Sequence, residues 1–148
     1  MERKVLVATL VATCCALCGC SRRDALKDFK GVVQAFSSAP DGGYVTPRLN
    51  MKATPAEELR FDVEKTDSLV SPFIATVDYS RHMVWDEHPH ERYTYKWKAT
   101  FAYQENQWVV KEVEWLGGDG PTERYFFIDA DTKRWQAALD RFYKKKSN

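Results

Sequence analysis

Beyond residue 20 the chain has no cysteine: Cys14, Cys15, Cys18 and Cys20 are all there are. A domain that begins after them has no disulfide, no thiolate metal site and no cysteine nucleophile, so it must stand on its core alone. Charge of one sign is also scarce, with 22 Lys and Arg against 21 Asp and Glu. A nucleic-acid binder carries a basic excess, so that class is set aside. Phosphate-binding loops are missing: Gly117-Gly118-Asp119-Gly120 lacks the lysine and the following helix that such a loop needs. No Gly-x-Ser-x-Gly elbow marks a hydrolase. No cofactor is implied, and catalysis is the less favoured reading. Finally, no apolar run reaches the roughly 20 residues of a bilayer span.

What is present begins at the N-terminus. Glu2, Arg3 and Lys4 precede an uncharged run of 14 residues from Val5 to Cys18, and polar Ser21-Arg22-Arg23-Asp24 follows. An apolar core of that length running into small residues has the layout of a cleaved secretory signal. Its ending, Leu17-Cys18-Gly19-Cys20, resembles a bacterial lipobox: an aliphatic residue, two small ones, then the cysteine that is modified. The resemblance implies cleavage behind Gly19, so that residues 1–19 are a signal peptide and 20–148 a single lipid-anchored domain. It also implies that Cys20 carries the lipid and is the partner contact with the membrane. Several acyl chains hold stably where one holds only marginally. Ser21, rather than Asp, implies an outer-membrane location facing the periplasm in a Gram-negative host; otherwise the outer face of the cell membrane is expected. Processing removes Arg3, Lys4 and Glu2 and leaves the two signs of charge equal.

The domain reads as α+β. Leu26, Phe29, Val33 and Phe36 recur at helical spacing, with Lys27, Asp28 and Lys30 off that face, which predicts a helix over 21–36. The Pro/Gly-punctuated stretch 42–55 reads as a loop. Alternation then predicts strands at 59–64, 73–80, 92–103 and 108–115. Pairing Val77 with Ala99 sets Tyr79 against Trp97, Phe73 against Tyr103 and Asp78 against Lys98, so both faces agree. A two-residue turn at Glu105-Asn106 sets Tyr103 against Trp108, but a bulge within 108–113 is then needed to return Val113 and Trp115 to the apolar face. Gly117-Gly118-Asp119-Gly120-Pro121 predicts a break, 122–128 a short strand or extended segment, and Asp131 or Thr132 the cap of a C-terminal helix with Trp135, Ala138, Leu139 and Phe142 on one face. The terminal Lys144-Lys145-Lys146 complements that helix's dipole, with anionic lipid contact as an alternative.

The expected architecture is an N-terminal helix packed on a curved antiparallel sheet of about four strands, with a C-terminal helix. The aromatic strand, tight turn and Trp-led strand Phe101-Ala102-Tyr103-Gln104-Glu105-Asn106-Gln107-Trp108-Val109-Val110-Lys111 resemble those of cystatin-like and nuclear-transport-factor-2-like folds. Such folds host enzymes, binding modules and structural pieces alike, so the resemblance leaves activity open. Two groups of residues are candidates for a site. The three histidines, His82, His88 and His90, lie beside Asp86, Glu87 and Glu91, a ligand set that suits a divalent transition metal; the alternative is a solvated hairpin loop. Trp115, Tyr125 and Phe126 can line an apolar pocket or form a partner patch; the alternative is plain core. The reading is thus an exported lipoprotein that binds an envelope protein or a small apolar ligand, or serves as a structural accessory, with a small cleft enzyme as the rival.

Overall fold

The structure is a computed structural model that describes residues 22–39, 43–45, 50–85, 87–120 and 124–148. Cys20 and the signal-like run before it lie outside the described residues.

Residues 22–37 form helix α1. It buries Ala25, Phe29, Val32, Val33 and Phe36. Two positions depart from the sequence pattern. Leu26, expected on the apolar face, is 38% exposed, and Asp28, expected to face water, is buried and accepts a hydrogen bond from Lys146 Nζ at 2.6 Å. The reason is the second helix. It packs against α1 as well as the sheet and turns the buried arc toward Ala25, Asp28 and Val32.

Six strands follow: β1 Gly43–Val45, β2 Asn50–Ala53, β3 Glu57–Lys65, β4 Phe73–Trp85, β5 Arg92–Gln104 and β6 Gln107–Gly118. They make one curled antiparallel sheet in the order β1-β2-β4-β5-β6. β3 also pairs with β4, along its Phe73–Ser80 stretch, while β2 takes the Met83–Trp85 stretch of the same edge. The expectation of about four strands was short by two, because β1 and β2 fall in the stretch read as a loop. Those strands are too brief to show a period, and their pairing is decided by a distant segment of β4. The 73–80 strand likewise runs on to Trp85, so His82 sits in a strand and the hairpin loop is shorter than expected.

The register of β4 and β5 is the one that the side chains demand: Val77 opposite Ala99, Tyr79 opposite Trp97, Asp78 opposite Lys98. Phe73 and Tyr103 meet edge to face at 6.0 Å. Glu105 and Asn106 turn the chain with φ of 50° and 63°, the left-handed pair that a two-residue hairpin uses. The bulge falls at Lys111, since Phe101 pairs with Val110 and Thr100 with Glu112. It returns Val113 opposite Ala99 and Trp115 opposite Trp97. A second irregularity leaves Leu116 outside the register, and Gly117 absorbs it at φ 123°. Gly117 and Gly118, read as a break, are therefore the end of β6.

The C-terminal helix, α2, spans Arg124–Lys146. Its first turns occupy the stretch expected to be extended, so Asp131 and Thr132 lie inside the helix and cap nothing. Both helices cover the same inner face of the sheet. Phe29 packs on Phe61, Phe101 and Trp108 at 5.4, 5.2 and 4.8 Å, and Phe36 stacks flat on Trp135 at 3.5 Å. Trp108 ties the helices to the sheet. Its indole N–H donates to Ala25 O at 2.8 Å, and its backbone N–H donates to Tyr143 Oη at 2.7 Å. The outer face carries the register row Asp78, Lys98, Glu114.

Candidate functional site

The most concentrated polar chemistry in the described residues lies in the core. Arg81 faces inward from β4 and is 1% exposed; Asp131 faces inward from α2 and is fully buried. Asp131 Oδ2 accepts from Tyr79 Oη at 2.6 Å and from Arg81 Nε at 3.3 Å, while Oδ1 accepts from Arg134 Nη1 at 3.1 Å. Arg81 Nη1 also donates to Thr54 O at 2.9 Å, and Trp135 Nε1 donates to Tyr79 Oη at 3.1 Å. The Arg81 guanidinium lies 5.0 Å from the centre of the Phe36 ring. Four parts of the fold thus reach this node: α1 through Phe36, the β2–β3 connection through Thr54, β4 and α2 directly. A buried pair with its hydrogen bonds satisfied specifies how elements meet, and it needs no substrate to explain it. Sequence reasoning missed it. In the sequence Asp131 resembles a cap, and Arg81 falls one residue past the expected end of the 73–80 strand. The available signal was Arg81 itself, which stands on the inward parity of Phe73, Val77 and Tyr79.

Burial pushes the Tyr79 phenol well above its ordinary range, and the neighbouring Asp131 carboxylate pushes it in the same direction. Burial also raises Tyr95, and raises Tyr143 to about 12. A raised folded value means that the stabilising proton is fully held below pH 10 and that stability falls as the pH climbs from there toward the folded value. Each such tyrosine then costs about 1.4 kcal/mol per pH unit. The melting temperature is expected to drop steeply between pH 10 and pH 12, and Tyr79→Phe to flatten the drop. Thermal melts of both chains across that range check it, and parallel slopes would contradict it.

The histidines are not brought to one centre. His82 Nδ1 sits 3.0 Å from Thr94 Oγ1 and its Nε2 3.2 Å from Glu57 Oε2. The His88 ring lies 5.8 Å from that of Trp85, and His90 is exposed in the turn between β4 and β5. Among the described residues no group of three or more His, Cys, Asp or Glu is placed to hold a metal ion. The strand extension explains this, since β4 holds His82 in the sheet and away from the loop.

The aromatic candidates gather at one end of the molecule without touching. Trp115 is half-buried and packs on Tyr95 at 6.2 Å, and Tyr95 packs on Phe127 at 5.4 Å. Phe127 belongs to the first turns of α2, where Tyr125 and Phe126 flank it at 86% and 45% exposed. The indole N–H groups of Trp97 and Trp115, register partners in the sheet, are buried without a hydrogen-bond acceptor. Large exposed rings at a helix start make a surface suited to a partner rather than to water. The opposite end differs. There α1 and α2 enclose a groove of about 930 Å³ lined by Lys27, Lys30, Arg141, Lys145 and the paired Asp28 and Lys146. No described helix is long and apolar enough to cross a membrane. Comparisons with protein-family models, with curated proteins and with solved structures find no match to this chain.

Proposed function

We propose that this chain is an exported bacterial lipoprotein, processed behind Gly19 and anchored by lipid on Cys20. Its α+β domain acts without catalysis at the cell envelope, by binding a protein partner or a small apolar ligand or as a structural accessory. The observation that carries the reading is Leu17-Cys18-Gly19-Cys20 behind an uncharged run too short to span a bilayer. Two structural facts support it. Helix α1 is under way at residue 22, so the folded domain follows the anchor almost at once. The exposed rings of Tyr125 and Phe126 belong to the start of α2, while Lys146 at its end packs on α1 near residue 28, so the aromatic surface lies away from the start of α1. The layout of helices on a curled antiparallel sheet is the α+β class expected of the domain.

Metabolic labelling tests the anchor. The full chain expressed in a bacterial host is expected to take up an alkyne-tagged fatty acid, and Cys20→Ser to lose the label and to accumulate as the longer, uncleaved form. A label that survives Cys20→Ser, or a wild-type chain that takes up none, would overturn the reading.

A further inference from the structure

The loop between β3 and β4, residues 66–72, projects Leu69 at 99% and Val70 at 73% exposure. It is braced from within. Thr66 N–H donates to Pro72 O at 2.8 Å, Thr66 Oγ1 to Ser71 O at 2.5 Å, Ser68 N–H to Thr66 Oγ1 at 3.2 Å and Ser71 N–H to Ser68 Oγ at 3.1 Å. Ser71 Oγ in turn accepts from Gln104 Nε2 at 2.7 Å, which fixes the loop to the end of β5. Two adjacent aliphatic side chains are thus held out into solvent by a closed set of hydrogen bonds, not left there by slack in the chain.

The neighbours of that loop say what it faces. The residue next to Gln104 is Tyr103, which meets both Phe73 and Trp108 and feels the charges of Asp24, Asp28 and Lys146. Trp108 holds Ala25 of α1 and Tyr143 of α2. The start of α1, the end of α2 and the 66–72 loop therefore share one end of the domain, and it is the end that follows Cys20. The cations exposed on those two helix ends are Arg22, Arg23, Lys27, Lys144, Lys145 and Lys146; the acids of this end are Asp24, Asp28, Asp67 and Glu105, of which Asp28 is already paired with Lys146. In a chain whose totals are nearly balanced, 22 basic against 21 acidic residues, this end carries a local basic excess.

We infer that this end docks on an anionic bilayer surface, with Leu69 and Val70 entering the interface and Lys144 and Lys145 meeting lipid head groups. The inference rests on the anchor reading for its location, but its contacts are its own. Apolar side chains at the headgroup boundary and lysines against anionic lipid are separate and additive sources of peripheral binding. Together they convert a domain swinging on a lipid tether into one of fixed orientation.

The test uses the full chain, purified from membranes and reconstituted in phosphatidylcholine vesicles with or without about one third phosphatidylglycerol. A photoreactive residue replaces Leu69, or, as the control, Tyr125 at the far end of a helix about 34 Å long. Lipid adducts are expected from position 69 and not from 125. The yield should rise with phosphatidylglycerol, and Lys144→Glu/Lys145→Glu, which spares the Lys146–Asp28 pair, should remove about tenfold of that gain. Equal yields from 69 and 125, no lipid adducts from 69, or protein adducts at 69 in native membranes would overturn the inference. Fatty-acid labelling on the same samples separates the two readings. A labelled chain with no adducts at 69 keeps the anchor and ends the docking, whereas adducts at 69 without label keep the docking and end the anchor.

Discussion

Asp131→Ala is expected to destabilise the domain by about 3–5 kcal/mol, because it leaves the Arg81 guanidinium buried without its counter-charge. At this chain length that is a fall of roughly 10–20 °C in Tm. The magnitude belongs to the orphaned charge and not to the worth of the pair. The double variant Arg81→Met/Asp131→Leu should therefore recover most of the loss, since apolar side chains of similar volume remove both desolvation costs at once. Arg134→Ala separates the two cations of the node. Arg134 reaches partial exposure, with 19% of its side chain accessible against 1% for Arg81, so its loss should cost less than about 1 kcal/mol. Urea unfolding of the four chains checks the set. An Asp131→Ala chain within 1 kcal/mol of wild type, or a double variant no better than the single, would show that Arg81 finds another partner.

Trp135→Ala is the second large effect, about 3–5 kcal/mol. Trp135 is fully buried, stacks on Phe36 at 3.5 Å, stands edge-on to Phe101 at 4.9 Å and Tyr79 at 5.8 Å, and donates to Tyr79 Oη. Its removal opens a cavity where α1, α2 and the sheet converge, and that geometry leaves little room to collapse. Tyr125→Ala, ten positions earlier on the same helix, is the contrast. Its ring is in solvent, so its loss should stay within about 0.5 kcal/mol of wild-type stability, while any affinity for a partner that uses the aromatic surface should fall. Parallel denaturation curves give the answer for both.

The central sheet was readable from the amino acids because its long strands alternate strictly and carry charges on the other parity. The pairing of Val77 with Ala99, the left-handed Glu105-Asn106 turn and the bulge near Lys111 all follow from asking both faces to be consistent at once. β1 and β2 were not readable, since three or four residues hold no period and the partner that orders Met51 is Trp85, far along the chain. The start of α2 was misplaced for a different reason. Tyr125, Phe126 and Phe127 have the look of a strand, yet only Phe127 is buried, and Asp131 resembles a cap while it serves as an internal ligand for Arg81. Of the site candidates, Trp115, Tyr125 and Phe126 share an end of the molecule, whereas the histidines were grouped by sequence proximity that the extended β4 undoes.

The pairing of distant chain segments bears on when this domain can fold. Asp28 meets Lys146 across 118 positions, Trp108 meets Ala25 across 83 and Arg81 meets Asp131 across 50. Until α2 has been delivered, α1 has no second wall, Phe36 does not stack on Trp135 and the Arg81–Asp131 pair is unmade. Loop-closure entropy must be met before such contacts return anything, so folding is slow and waits for the last residues. A sequence wired in this way keeps its buried ionic node and its aromatic stack unformed until α2 is free to pack on α1 and the sheet.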